Sequence, residues 1–274
     1  MAAEASAKKT RVSAGAILRW GSILIGAGLV LTGAIYASQR TEQFLIHDSH
    51  FILPMPPDLG LGSPNLELRG VHYASRAQIL RVFTPDYGRS VYFFPLAARR
   101  KALRNVRWVH DASVSRIWPN RILVEISERK PVAFLKLPAD GMARWALIDD
   151  DGVILDPPAK QAFRLPVLTG VSPAEPLEKR ATRVHRMQRV MAELGSLGEH
   201  VSEIDAGDLE NLRITEEVDG KPVTLLLGDQ NFASRVKSFR DHYAEIHRKL
   251  PQSTTFDLRL DDRITGLQGS KNVP

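Results

Sequence analysis

In WVHDASVSRIWPNRILVEIS, residues 108–127, polar and apolar side chains alternate on both sides of Pro119-Asn120. Successive side chains of a strand point to opposite faces, so such alternation marks a ribbon with one face buried. Val114 lies on one run; Ile122, Val124 and Ile126 lie on the return. Proline followed by asparagine suits a reversal, because proline presets φ and asparagine tolerates tight turns. Residues 112–127 are therefore expected to form a β-hairpin.

Working back from the hairpin, Leu66 and Leu68 alternate with polar residues and end at Gly70, which reads as a short strand. Ser75 is placed to cap a helix carrying Ile79, Leu80 and Phe83. A second helix is expected over residues 95–105, with Leu96 and Leu103 inward and Arg99, Arg100, Lys101 and Arg104 largely outward. Strand, helix, helix and hairpin make one module over residues 64–130. Ahead of it, Pro54, Pro56, Pro57, Gly60 and Gly62 argue for a flexible spacer over 39–63.

Beyond the hairpin the pattern restarts. Residues 132–137 read as a strand and 145–155 as a hairpin turning at Asp151-Gly152. Leu165-Pro166-Val167-Leu168 reads as an edge strand, since proline cannot donate to a central ladder. Ala181, Val184, Met187, Met191 and Leu194 recur at helical spacing. Strands follow at 212–218 and 223–227, then a helix with Phe232, Val236, Phe239, Tyr243 and Ile246, then a strand near 254–260. This second domain covers 131–265, and 266–274 is expected to be a disordered tail. The fold class is α+β, with the larger sheet mostly antiparallel.

Residues 20–38 carry no charge. Nineteen helical residues at about 1.5 Å each span roughly 28 Å, close to the hydrocarbon thickness of a bilayer. Arg19 sits where a long side chain reaches headgroups, and Trp20 and Tyr36 lie near the two ends. Residues 19–38 are thus expected to be a transmembrane helix. Lys8, Lys9, Arg11 and Arg19 precede it against the single acid Glu4, whereas Arg40 is followed at once by Glu42. The positive-inside rule keeps the basic tail, 1–18, in the cytoplasm and exports the remainder. A cleaved signal peptide has a shorter apolar region and a small-residue cleavage site.

The 274 residues carry a net charge of +6, with both signs interspersed through most of the chain. There is no cysteine, which excludes disulfides and thiolate metal sites. Asp149-Asp150-Asp151 precedes a glycine at a turn and lacks calcium-loop spacing, so no metal is expected there. His47 and His50 lack a third ligand, His242 and His247 diverge on a helix, and Gly195-Ser196-Leu197-Gly198 is not a nucleophile elbow. No catalytic constellation and no cofactor motif emerges. Export also removes nucleic acid as a partner for the basic helix face, which is expected to be solvated.

The stretch from Trp108 to Pro119 has the form W-V-x-x-A-x-V-x-R-x-W-P, and Glu128-Arg129-Lys130-Pro131-Val132-Ala133 follows the return strand. Farther on come Leu147-Ile148-Asp149 with Gly152, then Leu165-Pro166-Val167-Leu168-Thr169-Gly170, then Phe256-Asp257-Leu258-Arg259. In this order the motifs resemble those of the bacterial cell-division FtsQ (DivIB) family over roughly residues 65–265. Arg107 departs from the pattern, standing where many relatives have proline.

The resemblance implies a POTRA module (β-α-α-β-β) next to the membrane and a non-enzymatic scaffold that links early and late division proteins at the septum of the inner membrane. It implies that an exposed C-terminal edge strand binds an FtsB-type partner, itself associated with FtsL. On this chain that surface is Arg259, Leu260, Asp261, Asp262, Ile264 and Thr265, beside the helix at 231–250. FtsK and the septal peptidoglycan synthase are further implied partners. The alternatives are a POTRA-bearing transport or outer-membrane assembly component, which predicts tandem repeats or a barrel, and an anchored hydrolase, which needs convergent acid, base or nucleophile motifs.

Overall fold

The computed structural model describes residues 14–58, 62–139, 142–158, 161–260 and 263–267. They form two compact units. One comprises Met1–Arg69, Arg76–Ala102 and Ser113–Glu125; the other comprises Gly70–Ser75, Leu103–Ala112 and Ile126–Pro274.

Helix α1 (Ala14–His47) is long and apolar enough to cross a membrane, and none of its most apolar window is buried within the protein. Ser22 and Thr32 donate their hydroxyls to the carbonyls of Arg19 and Gly28, so these polar groups are satisfied within the helix. The helix continues past Ser38, so residues 39–47 of the expected spacer are helical. Nothing in Gln39–His47 breaks the ladder, because neither proline nor glycine occurs there. Asp48 then caps a single turn, Ser49–Phe51, by accepting from the His50 amide at 2.8 Å.

The β-α-α-β-β module is present. It consists of β1 (Leu66–Arg69), α2 (Arg76–Arg81), α3 (Leu96–Leu103), β2 (Val109–Ile117) and β3 (Arg121–Glu128). The sheet order is β1-β3-β2, with β1 parallel to β3 and Leu66 opposite Ile122. Leu66, Ile79, Leu80, Phe83, Val91, Phe94, Ile122 and Val124 are buried, matching the apolar face read from the alternation. Asp86, also buried, is held by Arg99 through two hydrogen bonds of 2.6 and 2.9 Å. Arg99 therefore faces inward, unlike Arg100, Lys101 and Arg104, which are exposed. Arg116 donates to the Phe94 carbonyl at 2.7 Å, which gives the arginine of the W-P motif a structural role.

The second unit is built on a sheet ordered β12-β11-β10-β9-β8-β7-β4-β5-β6. Its strands are β4 (Pro131–Ala139), β5 (Met142–Asp149), β6 (Ile154–Leu155), β7 (Val167–Thr169), β8 (Val201–Asp205), β9 (Leu212–Val218), β10 (Lys221–Gly228), β11 (Thr255–Asp257) and β12 (Thr265–Leu267). Most neighbours are antiparallel, while β4–β7, β7–β8 and β10–β11 are parallel. Helices α4 (Leu177–Leu194) and α5 (Phe232–Lys249) share one apolar core with the sheet. Val184, Met187, Val190 and Leu194 of α4 are buried, as are Phe232, Val236 and Phe239 of α5.

Two expectations are corrected here. β7 is not an edge strand: it lies between β4 and β8. Pro166 precedes the ladder and contributes only its carbonyl, which accepts from the Phe134 amide at 2.9 Å, so its missing N–H costs nothing. Gly266 and Leu267 are not structureless either, because they pair with β11 as part of β12.

Candidate partner-binding edge

At one end of the large sheet, β11 runs parallel to β10, and the chain then returns as β12, antiparallel to β11. Thr255 faces Leu267, Phe256 faces Gly266 and Asp257 faces Thr265. Among the described residues no strand lies on the outer side of β12, so its backbone polar groups there are open to an added strand.

A network of charge and backbone positions the bend that joins the two strands. Arg259 reaches back to Asp257 with contacts of 2.6 and 2.9 Å and donates to Asn211 Oδ1 at 2.9 Å. Its hydrogen bonds hold the Asp257 carboxyl below the ordinary aspartate range, and the pairing raises the Arg259 guanidinium in turn. Arg235, buried on α5, donates to the carbonyls of Leu227 (2.6 Å) and Arg259 (2.8 Å). Asp257, Arg259 and the helix are thus tied together. Gly266 is pressed against the end of α5, where an added Cβ would come within 2.8 Å of Leu250 and Ser253 side-chain atoms.

On this frame, Leu260 is 51% exposed and Leu267 is 40% exposed, whereas Ile264 is half-buried against the core. A groove of about 350 Å³ runs between α5 and the bend, lined by Ser234, Arg235, Ser238, Leu258, Leu260 and Ile264. A second, of about 290 Å³, shares Ile264 and includes His242, Ile246, Leu250 and Arg263. Apolar anchors beside an open strand edge and a grooved helix suit an extended peptide: backbone pairing gives affinity and the grooves select alternate side chains.

Of the residues expected at this surface, Arg259, Leu260, Ile264 and Thr265 are brought together, while Asp261 and Asp262 lie outside the described residues. Arg259 is turned toward Asp257 and Asn211, so its role is to shape the bend. Leu267 and the grooves along Ser234, Ser238 and His242 escape a sequence reading. Thr-Gly-Leu is too short to show a period, and the grooves arise only from how α5 packs.

Two further charged clusters hold backbone in place. Asp149 is buried and accepts from Arg129 at 2.6 Å and from the Val153 amide at 2.7 Å; Asp151 accepts from the same Arg129 at 2.9 Å. The oxygens of Asp149, Asp150 and Asp151 lie close enough to bind an ion, yet the cation between two of them is a guanidinium. Glu128 accepts from the amides of His72, Tyr73 and Ala74 at 2.7–2.9 Å through Oε1. The motif residues Glu128, Arg129 and Asp149 therefore hold backbone and turn in place.

An apolar helix long enough to span a bilayer, a β-α-α-β-β module and a mixed sheet flanked by two helices define the architectural class of the chain, α+β behind a candidate membrane anchor. The comparisons give the family. The model of the POTRA domain, FtsQ-type, matches residues 64–129, and that of the cell division protein FtsQ/DivIB C-terminal domain matches 140–259. Cell division protein FtsQ of Koribacter versatilis is 36% identical over 209 residues, covering 74% of this chain and 59% of that protein. The FtsQ protein of Novosphingobium aromaticivorans is 32% identical over 240 residues, covering 87% of this chain and 69% of its relative. The chain belongs to the FtsQ/DivIB family of cell-division proteins.

Proposed function

We propose that this chain is a non-enzymatic scaffold of the division septum, fixed by α1 in the inner membrane with its basic tail in the cytoplasm and both folded units outside. Its C-terminal edge binds a strand from an FtsB-type protein, which brings an FtsL-type protein with it. FtsK and the septal peptidoglycan synthase are further partners in this proposal. The observation that carries it is the open side of β12, flanked by exposed Leu260 and Leu267 and by the grooves on α5. The distribution of charge about residues 20–38 supports the orientation.

Leu260→Glu places a charge at the proposed apolar contact without touching the buried core. Association with the FtsB-type partner is expected to weaken about tenfold, the scale of losing one good anchor. The melting temperature should remain at the parental value. Unchanged co-purification together with an unchanged melt would show that the edge is not the binding surface. For topology, a reporter that fluoresces only in the cytoplasm should be dark when fused after Pro274 and bright when fused before Met1; the reverse pattern would sink the orientation.

A further inference from the structure

Where α1 meets the first unit, large aromatic side chains are left outside the core. Phe44 is 57% exposed, Phe93 51%, Trp118 54% and Tyr92 42%. They form one continuous cluster with Phe51. Ring centroids are 5.8 Å apart for Phe44 and Phe51, 5.9 Å for Phe51 and Trp118, 6.1 Å for Trp118 and Tyr92, and 4.9 Å for Tyr92 and Phe93. Three separate segments converge there: the end of α1, the turn around residues 91–93, and the tip of the β2–β3 hairpin. The junction is held by hydrogen bonds. Ser90 Oγ donates to the Leu45 carbonyl at 2.6 Å, and Leu53 exchanges backbone hydrogen bonds of 2.9 Å with Arg89 and Gly88.

We propose that this aromatic face is seated in the headgroup layer of the outer leaflet of the membrane that α1 crosses, so that the first unit is docked on the bilayer as well as tethered to it. The proposal rests on α1 spanning that membrane. Arg19 and Arg40 bracket the apolar stretch, twenty-one residues apart. At about 1.5 Å per residue this is roughly 32 Å, close to the hydrocarbon thickness of about 30 Å. Phe44 then lies about 6 Å beyond Arg40, within a headgroup layer roughly 5–7 Å deep on each side. The helix therefore sets the depth of Phe44, the ring of the cluster that it carries, and the others adjoin it through Phe51.

The chemistry agrees with that depth. Tyrosine and tryptophan concentrate at membrane interfaces, where an apolar body and a polar edge are both satisfied. Exposed aromatics also mark protein contacts. Here, covalent continuity with a spanning helix selects the lipid surface.

Because the chain has no cysteine, single labels are readily placed on the full-length protein. Phe93→Cys, Trp118→Cys, Val30→Cys and Glu125→Cys would each carry nitrobenzoxadiazole. Each is reconstituted alone in vesicles of phosphatidylethanolamine and phosphatidylglycerol, with bromines near the headgroup end or the methyl end of the acyl chains. Glu125 is exposed on β3, roughly 16 Å along the strand from the hairpin tip. The labels at 93 and 118 should be quenched several-fold more than that at 125 by the shallow bromines, and should change little with salt. The label at 30 should be quenched best by the deep ones. Quenching at 93 and 118 no greater than at 125, with residue 30 still deep, would overturn the docking and leave the span intact. A label at 30 that no bromine reaches would overturn both. Shielding of 93 and 118 that appears only after another division protein is added would assign the face to that protein.

Discussion

Arg129→Met is expected to destabilise the second unit by about 3 kcal/mol, measured as a lower denaturant midpoint for the full chain in detergent micelles. Asp149 is almost completely buried, and its Oδ2 receives the Arg129 guanidinium at 2.6 Å while its Oδ1 receives the Val153 amide. Methionine matches the bulk of the arginine stem but leaves the carboxylate inside with one neutral donor. Breaking a buried pair in this way costs more than the pair contributed, because the remaining charge has lost its water and its partner. Asp151 does not substitute, being of the same sign. The double variant Arg129→Met with Asp149→Asn should recover part of the loss, since the stranded charge is gone. A single-variant cost below about 1 kcal/mol would mean that the pair behaves as a solvated surface bridge.

The same pair explains why part of the fold is visible in one dimension. The arginine after Glu128 and the aspartate before Asp150-Asp151 are turn-anchoring groups; the first follows the period-two run of β3, and the second ends a run, Ala146 to Asp149, that is buried on both faces. The hairpin at 112–127, the strand at Leu66 and the apolar faces of α4 and α5 can likewise be read from spacing, because burial on one face imposes the period. What cannot be read is set by distant partners. β7 has the composition of an edge, yet it is central because β4 and β8 flank it, and its proline sits just outside the ladder. The β8 segment, Val-Ser-Glu-Ile-Asp, is short and partly charged, and its pairing on both sides, parallel to β7 and antiparallel to β9, makes it a strand.

The candidate site is less legible still. Leu260 and Ile264 stand out only by resemblance to a family, since a leucine in an acidic bend has no periodic context. Thr265–Leu267 becomes a strand because β11 offers it an edge, and that edge exists because β11 pairs in parallel with β10 after α5. The partners of Arg235 and Arg259 are not visible in the sequence, where Arg259 is marked only by the resemblance. In the fold, one ties the bend to α5 and the other closes it on Asp257 and Asn211. Binding surfaces assembled from non-local pairings leave little local signal, whereas strand faces announce themselves.

Gly170→Ala is expected to cost about 4 kcal/mol, enough to remove a large part of the stability of an ordinary domain. Gly170 ends β7 with φ at +77°, a conformation that carries a penalty of roughly 1–2 kcal/mol for an L side chain. Space makes matters worse. A Cβ there would lie 2.2 Å from the Gly207 nitrogen and 2.4 Å from its Cα. Gly207 cannot yield easily: its amide donates to Asp205 Oδ1 at 2.9 Å, its carbonyl accepts from Arg183 at 2.8 Å, and Ala206 donates back to the Thr169 carbonyl at 3.1 Å. The clash is therefore backbone against backbone, at the point where two parallel central strands leave the sheet together. Gly220→Ala is the control. It has φ at +74°, but nothing stands within 4 Å of its added Cβ, so only the conformational penalty of about 1 kcal/mol should appear. If the two variants melted alike, the close approach of residues 170 and 207 would be absent in solution. A large difference would show that this motif glycine is required by the packing of β7 against β8, independently of any partner.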